Sequence, residues 1–233
     1  MKETAYLLVH GFGGTVSELD YLAEYLRAKG LDVHTVSLPG HGGTRKEFKQ
    51  STHTAWIDHV RETVDALKAE YRHIIYLGFS MGGLLGVQCG DIPEIQKFVL
   101  INTPIYVWNL KIIGKNIFRD IRHRQFHHWS YYRKSASKIP LKSMIEFLKI
   151  RSKSKKRIGA ITKPTLLIQC KDDETVRYKS ATYIQSKLSD QAVLRYYDGG
   201  CHGVFTKADP LRDLICSDIF SFLKECTNNV ETY

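Results

Sequence analysis

A serine between two glycines lies in the segment 78–82, which reads GFSMG. The segment matches the pattern Gly-x-Ser-x-Gly, follows an apolar run and precedes a run of small residues. This pattern predicts a sharp turn from a strand into a helix that pushes the serine side chain outward, and larger residues two positions to either side would collide there. We interpret Ser80 as a candidate nucleophile, with a tight turn carrying an inert serine as the alternative.

A serine hydroxyl needs a base to activate it, and the base needs a carboxylate to orient it. Of the ten histidines, His202 lies in the loop 199–203 (GGCHG), just after the last predicted strand. Three acidic residues, Asp172, Asp173 and Glu174, follow the preceding predicted strand. Because the carboxyl ends of parallel strands meet at one edge of a sheet, we expect these groups to lie near Ser80. The residues alone leave all three acids as alternatives.

The loop 10–14, HGFGG, follows the first predicted strand and brings backbone N–H groups to the same edge. Acyl transfer needs two hydrogen-bond donors directed at the oxygen that becomes negatively charged. The N–H of Met81, at the start of the helix after the serine, is one candidate. The N–H of Phe12 is the other, and a plain strand-to-helix turn is the alternative interpretation.

The elements that must position these groups are short apolar runs separated by amphipathic segments. This alternation predicts an α/β fold with a mainly parallel central sheet and helices on both faces. Asp209 followed by Pro210 predicts the start of the closing helix. The predicted strands are 6–9, 33–38, 74–77, 98–101, 165–169 and 193–197.

The segment 104–160 interrupts this alternation and carries most of the charge. It holds 15 Lys and Arg but only two acids, so its net charge is +13, whereas the whole chain has a net charge of +10. It contains no obvious sheet strand, and we predict an inserted cap of short helices, with 1–103 and 161–233 forming the core. Aromatic residues of the cap would shape a pocket or pack the cap on the core: Phe118, Phe126, Trp129, Tyr131, Tyr132 and Phe147.

The basic cap has two interpretations, a solvated face or a surface that attracts anionic lipid or acidic substrates. No nucleic-acid-binding motif accompanies the charge, so no nucleic acid is expected as a partner. The five cysteines have no zinc-site spacing, no apolar run reaches about 18 residues, and the apolar start resembles a strand more than a signal peptide. These features predict reduced thiols and a cytoplasmic location. They leave the oligomeric state open.

Taken together, the motifs resemble those of the α/β-hydrolase superfamily, in particular the small bacterial carboxylesterases and monoacylglycerol lipases. The resemblance covers nearly the whole chain outside 104–160 and includes the segments HGFGG, LPGHG, GFSMGG and GCH. It implies the α/β-hydrolase fold, with the cap inserted after the strand that follows the serine turn. It further implies Ser80 as nucleophile, His202 as base, and the N–H groups of Phe12 and Met81 as the oxyanion hole.

The resemblance also selects one of the three acids. The usual family pattern after this strand is Gly, two residues, then Asp; here Cys170 stands in place of the glycine, and Asp173 is the residue that matches the acid. The implied activity is hydrolysis of short- to medium-chain esters or monoacylglycerols, which are small-molecule substrates, without a metal or organic cofactor. Alternatives are a thioesterase, acyltransferase or carbon–carbon bond hydrolase, a non-catalytic receptor, and a lipid- or nucleic-acid-binding module that acts through the basic cap.

Overall fold

The structure is a computed structural model that describes residues 1–108, 122, 139–188, 190, 192–205 and 209–225. Most of the predicted cap aromatics lie outside these residues, and Phe147 lies within them. In this part of the chain, no helix combines the length and the apolar character needed to cross a membrane.

Six strands form one sheet: β1 (Lys2–Val9), β2 (Val33–Val36), β3 (Tyr71–Phe79), β4 (Ile95–Ile101), β5 (Thr165–Cys170) and β6 (Ala192–Tyr197). Their order across the sheet is β2-β1-β3-β4-β5-β6, and every neighbouring pair is parallel. The predicted parallel sheet is therefore confirmed. The parallel arrangement brings the carboxyl ends of β1, β3, β5 and β6 to one edge, where the loops that carry the candidate residues begin.

The described helices are α1 (Asp20–Ala28), α2 (Arg45–Gln50), α3 (His53–Lys68), α4 (Met81–Val87), α5 (Leu141–Arg157), α6 (Lys179–Gln185) and α7 (Arg212–Glu225). Local sequence explains where two of them start. Thr44 and Glu47 form a reciprocal capping box at the start of α2, and the Thr52 hydroxyl accepts the N–H of Ala55 at the start of α3.

The sheet separates two apolar layers, as expected when helices cover both faces of a parallel sheet. In β1, Leu7 and Val9 point to the layer that contains α3, α4 and α5, whereas Tyr6 and Leu8 point to the layer that contains α1 and α7. Trp56 of α3 is fully buried in the first layer. The alternation of side chains along β1 thus contributes to both apolar layers.

Helix α5 is the longest described part of the predicted cap segment, and its buried side packs on α4, α3 and α2. The Ser154 hydroxyl donates to the carbonyl oxygen of Leu84 in α4 (2.8 Å). Glu146, which is buried, accepts from the backbone N–H (3.1 Å) of His53 and lies 2.6 Å from its Nδ1. The division of the chain into a core and a cap at 104–160 stays a prediction.

The closing helix begins later than the sequence suggests. Asp209 and Pro210 precede α7, which starts at Arg212. The Asp209 carboxylate instead accepts the backbone N–H of Leu211 (2.9 Å) and that of Cys201 (3.4 Å). Asp209 therefore fixes the loop next to His202 as well as the approach to the helix.

Candidate active site

The serine turn lies between β3 and α4, with Ser80 at φ 51° and ψ −119°, in a region that side-chain-bearing residues rarely occupy. Its backbone N–H donates to the carbonyl oxygen of Ile101 at the end of β4 (2.8 Å). A Cβ at Gly78 would lie 2.5 Å from the Gly82 carbonyl, and one at Gly82 would lie 2.0 Å from the Val9 carbonyl oxygen. The two glycines are therefore required by the close approach of backbone segments, as the motif predicts.

Three side chains predicted from the sequence meet at this turn. Nε2 of His202 lies 3.0 Å from Oγ of Ser80, and its Nδ1 lies 2.7 Å from Oδ2 of Asp173. Asp173 is fully buried and Ser80 is 5% exposed, whereas the His202 side chain is 18% exposed. The contacts form an unbroken line from a buried carboxylate through an imidazole to a hydroxyl that faces a cavity.

The structure also separates the three candidate acids. Asp172 is exposed, and its neighbour Asp173 points inward. The second oxygen of Asp173, Oδ1, accepts the backbone N–H groups of Thr175 and Val176, each over 2.7 Å. With both oxygens bonded, this carboxylate is held in one orientation towards the imidazole.

The loop of His202 is held through its backbone as well. Glu174 accepts the His202 backbone N–H (3.2 Å), and Nδ2 of Asn102 donates to the His202 carbonyl oxygen (3.3 Å). Oδ1 of Asn102 accepts the N–H of Cys170 (2.9 Å), so one amide links the ends of β4 and β5 to the histidine loop. Asn102 is fully buried at φ 46°. Sequence reasoning missed it; an asparagine directly after a strand is the only signal, because asparagine tolerates this backbone conformation.

The environment of His202 favours its protonated form. Burial alone would lower the pKa of the imidazole, but the Asp173 carboxylate at its Nδ1, together with Glu174 and Glu18, outweighs burial and raises the pKa above 6.5. The ring of Phe79 packs on the imidazole with the ring centres 5.1 Å apart. The site therefore combines a fixed ring orientation with stabilisation of the imidazolium that forms when the ring accepts a proton.

Of the two residues predicted to supply an oxyanion hole, Phe12 lines the same cavity as Ser80 and Met81 follows Ser80 directly in the chain. Within the part of the chain that the structure describes, no acceptor bonds to the N–H of Phe12 or of Met81. The N–H of Gly11, by contrast, donates to Oε2 of Glu18 (3.0 Å). The Phe12 ring packs against Phe147, with the ring centres 4.9 Å apart, and this packing anchors the loop.

Two further histidines support the same loop and are kept neutral. Nε2 of His10 accepts the N–H of Leu38 (3.1 Å), and its Nδ1 lies 2.9 Å from the Gly11 carbonyl oxygen. Burial lowers the pKa of His10, and burial together with the neighbouring His10 lowers the pKa of His41 to about 4. Across the described residues, no group of three His, Cys, Asp or Glu side chains is arranged to hold a metal ion.

A cavity of about 320 Å³ opens next to Ser80. One part of its lining is polar and includes Glu18, Thr175 and His202. The other part of the lining is apolar. Its side chains come from the loop after β1, the loop after β4, the start of α5 and the residues just before α5: Phe12, Val107, Trp108, Ile139, Met144 and Phe147. The lining suits a molecule with an apolar portion and a polar group near the serine.

Comparison with known proteins gives a consistent result. The model of the alpha/beta hydrolase family matches residues 6–214. The chain is 24% identical over 231 residues to a carboxylesterase of Bacillus subtilis (strain 168), covering 96% of this chain and 93% of that protein. It is 26% identical over 194 residues to a thermostable monoacylglycerol lipase of Bacillus sp. (strain H-257), covering 78% of this chain and 76% of that protein.

Among solved structures, the fold is similar to one from work on LipS and LipT, two metagenome-derived lipolytic enzymes. The TM-score is 0.78 at 20% sequence identity, and the match covers 96% of this chain and 94% of that chain. At this level of identity the match shows a shared fold.

Proposed function

Because the chain belongs to the alpha/beta hydrolase family, and is esterase- and lipase-like within it, we propose that it is a serine carboxylic-ester hydrolase. Ser80 would act as nucleophile, His202 as base and Asp173 as the orienting acid. The observation that carries the proposal is the line of contacts from Asp173 through His202 to Ser80, with spacings of 2.7 Å and 3.0 Å. Both spacings are within hydrogen-bond reach, as a general base and its orienting carboxylate require.

In the first half of the reaction, Oγ of Ser80 attacks the ester carbonyl carbon while Nε2 of His202 takes the hydroxyl proton. The negative charge on the former carbonyl oxygen is stabilised by the N–H groups of Phe12 and Met81. His202 then gives its proton to the leaving alcohol oxygen, and an acyl-serine is left. Asp173 keeps the proton of the neutral ring on Nδ1, so that Nε2 is free to accept.

In the second half, a water molecule takes the place of the alcohol beside Nε2 of His202. The imidazole removes a proton from this water, whose oxygen attacks the acyl carbon. The proton then passes from His202 to Oγ of Ser80 as the acid leaves. Each proton transfer in this cycle is served by the same ring nitrogen, which is why the ring orientation matters.

We propose short- to medium-chain esters or monoacylglycerols as substrates. The cavity volume of about 320 Å³ is near the lower end of ligand pockets, and its apolar part suits a short acyl chain. The names of the two Bacillus relatives, a carboxylesterase and a monoacylglycerol lipase, support the same substrate classes.

The test is a panel of initial rates on p-nitrophenyl esters and monoacylglycerols of increasing chain length, with thioesters alongside, for the parent protein and Ser80→Ala. Removal of the attacking oxygen should lower kcat by roughly 10⁶-fold, as in other serine hydrolases. A fluorophosphonate should form an adduct at Ser80 that mass spectrometry locates. Ester hydrolysis that persists in the variant, or an adduct at another residue, would contradict the proposal.

A peripheral contact with anionic lipid is a second part of the proposal. The described end of the basic segment places Lys149, Lys153, Lys156 and Arg157 around a surface depression of about 420 Å³ next to His53. Such a concentration of positive charge would attract an anionic bilayer surface. Lys153 and Lys156 are exposed, and neither makes an ion pair within the described ranges of the chain.

A further inference from the structure

We propose that Glu18 selects substrates by charge: its carboxylate accepts a hydrogen bond from a hydroxyl on the leaving alcohol and repels an alcohol that carries an anion. This inference rests on the proposed function, because it concerns the leaving group of the Ser80 reaction. It adds a specificity residue that the catalytic contacts do not include.

The carboxylate is held at the cavity by the loop that follows β1. Oε2 of Glu18 accepts the Gly11 N–H over 3.0 Å. A Cβ at Gly14 would lie 2.1 Å from the Glu18 carboxyl carbon, so the carboxylate rests directly on the glycine backbone. A Cβ at Gly11 would lie 3.1 Å from Oε2 and 3.2 Å from Cβ of Ser80. Gly11 therefore lies between the acidic group and the nucleophile, in contact with both.

The other oxygen of the Glu18 carboxylate, Oε1, has no partner among the described residues. Within the described part of the chain, no donor bonds to Oε1, and this atom is not among the buried polar atoms that lack a partner. Glu18 itself is half-buried and contributes to the cavity lining. An acceptor with one oxygen fixed, and with no donor among the described residues on the other, matches a substrate hydroxyl, since a charged acceptor gives a strong hydrogen bond.

Glu18 is also the acidic group of the described cavity lining. Among the described lining residues it is the only acidic one, and His202 is the only other residue with an ionisable side chain. The rest of the lining is apolar or uncharged. An anionic group that entered the polar part of the cavity would meet the like charge of Glu18, and His202 in its protonated form is the only described lining residue that could offset it.

The reaction geometry places the alcohol near Glu18. In the proposed mechanism Nε2 of His202 donates its proton to the leaving oxygen, so the alcohol must lie on the His202 side of Ser80. Glu18 and His202 both belong to the polar part of the lining of this cavity. The acyl chain would then lie against the apolar part of the lining, which includes Phe12 and Phe147.

The experiment uses three butyrate esters that differ only in the alcohol. Glycerol monobutyrate carries hydroxyls, propyl butyrate carries none, and the butyrate ester of glyceric acid has a carboxylate in place of one hydroxymethyl group. The variant Glu18→Gln removes the charge and keeps an oxygen acceptor of the same length. Glu24→Gln, at an exposed position of α1, removes the same charge away from the cavity and is the matched control.

For the parent and Glu24→Gln, we expect kcat/KM to be highest for the glycerol ester and at least about tenfold lower for the glycerate ester. Glu18→Gln should reduce the glycerol-to-glycerate ratio by about tenfold. A ratio that changes less than twofold, or changes equally in Glu24→Gln, would overturn the inference. Failure of the proposed function is distinct, because the parent would then show no Ser80-dependent hydrolysis of propyl butyrate.

Discussion

Glu174 accepts a hydrogen bond from the backbone N–H of His202 over 3.2 Å, whereas its neighbour Asp173 contacts the imidazole of the same residue over 2.7 Å. Two adjacent carboxylates thus hold one histidine at two different points. Glu174 is 9% exposed, so it is nearly as enclosed as Asp173. The backbone contact fixes where the loop lies, and the side-chain contact fixes how the ring is turned.

The first prediction separates the three acids by kinetics. Asp173→Asn should lower kcat by roughly 10⁴-fold, because an amide at this place favours the wrong imidazole tautomer. Glu174→Gln keeps an oxygen that can accept the backbone N–H and should cost less than about tenfold. Asp172→Asn, at an exposed position, is the control and should match the parent. A larger loss of kcat for Asp172→Asn than for Asp173→Asn would mean that Asp172 is the orienting acid.

The second prediction concerns the pH profile. The base must be neutral to accept a proton, and the pKa of His202 is raised above 6.5, so activity should fall as the pH drops through a midpoint above 6.5. Glu174→Gln removes one of the negative charges that raise this pKa. In this variant the fall of activity towards acid should therefore occur at lower pH. The measurement is kcat/KM on a neutral p-nitrophenyl ester across the acid range. A flat profile from pH 5 to pH 8 would contradict a histidine base.

The third prediction tests Asn102 as a positioning residue for His202. Asn102→Gly accepts the φ of 46° but loses both side-chain hydrogen bonds. Asn102→Asp keeps an acceptor for the Cys170 N–H and loses the donor to the His202 carbonyl. Both should lower kcat by about tenfold to a hundredfold, since small displacements of catalytic groups cost this much.

The rate of fluorophosphonate labelling at Ser80 should fall in parallel with kcat in both Asn102 variants. The control is a urea titration, which separates misplacement from unfolding. If Asn102→Gly labels as fast as the parent, the role of Asn102 is limited to the backbone conformation.

The fourth prediction links His41 to acid stability. Its pKa is about 4 in the folded protein and 6.5 when unfolded, so the unfolded state binds more protons below pH 6.5. The free energy of unfolding therefore decreases as the pH falls, and His41 accounts for about 2 kcal/mol of this decrease between pH 7 and pH 5. His41→Gln should show a smaller decrease in the free energy of unfolding over this range, measured by urea titration. An equal decrease in parent and variant would assign the acid sensitivity to other groups.

The fifth prediction tests the basic surface. Lys153→Gln combined with Lys156→Gln should weaken binding to anionic vesicles, since each lysine contributes up to about 1 kcal/mol near such a surface. Salt should remove the difference, because screening acts over roughly 8 Å. The control combines Lys29→Gln, directly after α1, with Lys224→Gln in α7, and both helices lie on the opposite face of the sheet. Equal vesicle binding by the two double variants would mean that Lys153 and Lys156 are only a solvated face.

The sequence by itself determined the parallel sheet and the serine turn. Both depend on short-range effects: apolar alternation defines each strand, and steric crowding around Ser80 demands Gly78 and Gly82 within two residues. Strand and helix alternation then fixes the edge at which the carboxyl ends meet. For this reason the sequence places His202 and the three acids, Asp172, Asp173 and Glu174, near Ser80, and the family resemblance selects Asp173 among them. The start of the closing helix at Asp209 was predicted too early.

Only the tertiary structure decided which polar groups pair. Asn102 contacts His202 across 100 positions of the chain, and this contact depends on how far β4 and β5 extend and where the following loops turn back. The separate contacts of Asp173 and Glu174 depend in the same way on the loop that carries His202. Glu18 reaches Gly11 across seven positions because the loop folds back on itself. Hydrogen bonds are directional over about 3 Å, so local sequence patterns do not specify such pairs.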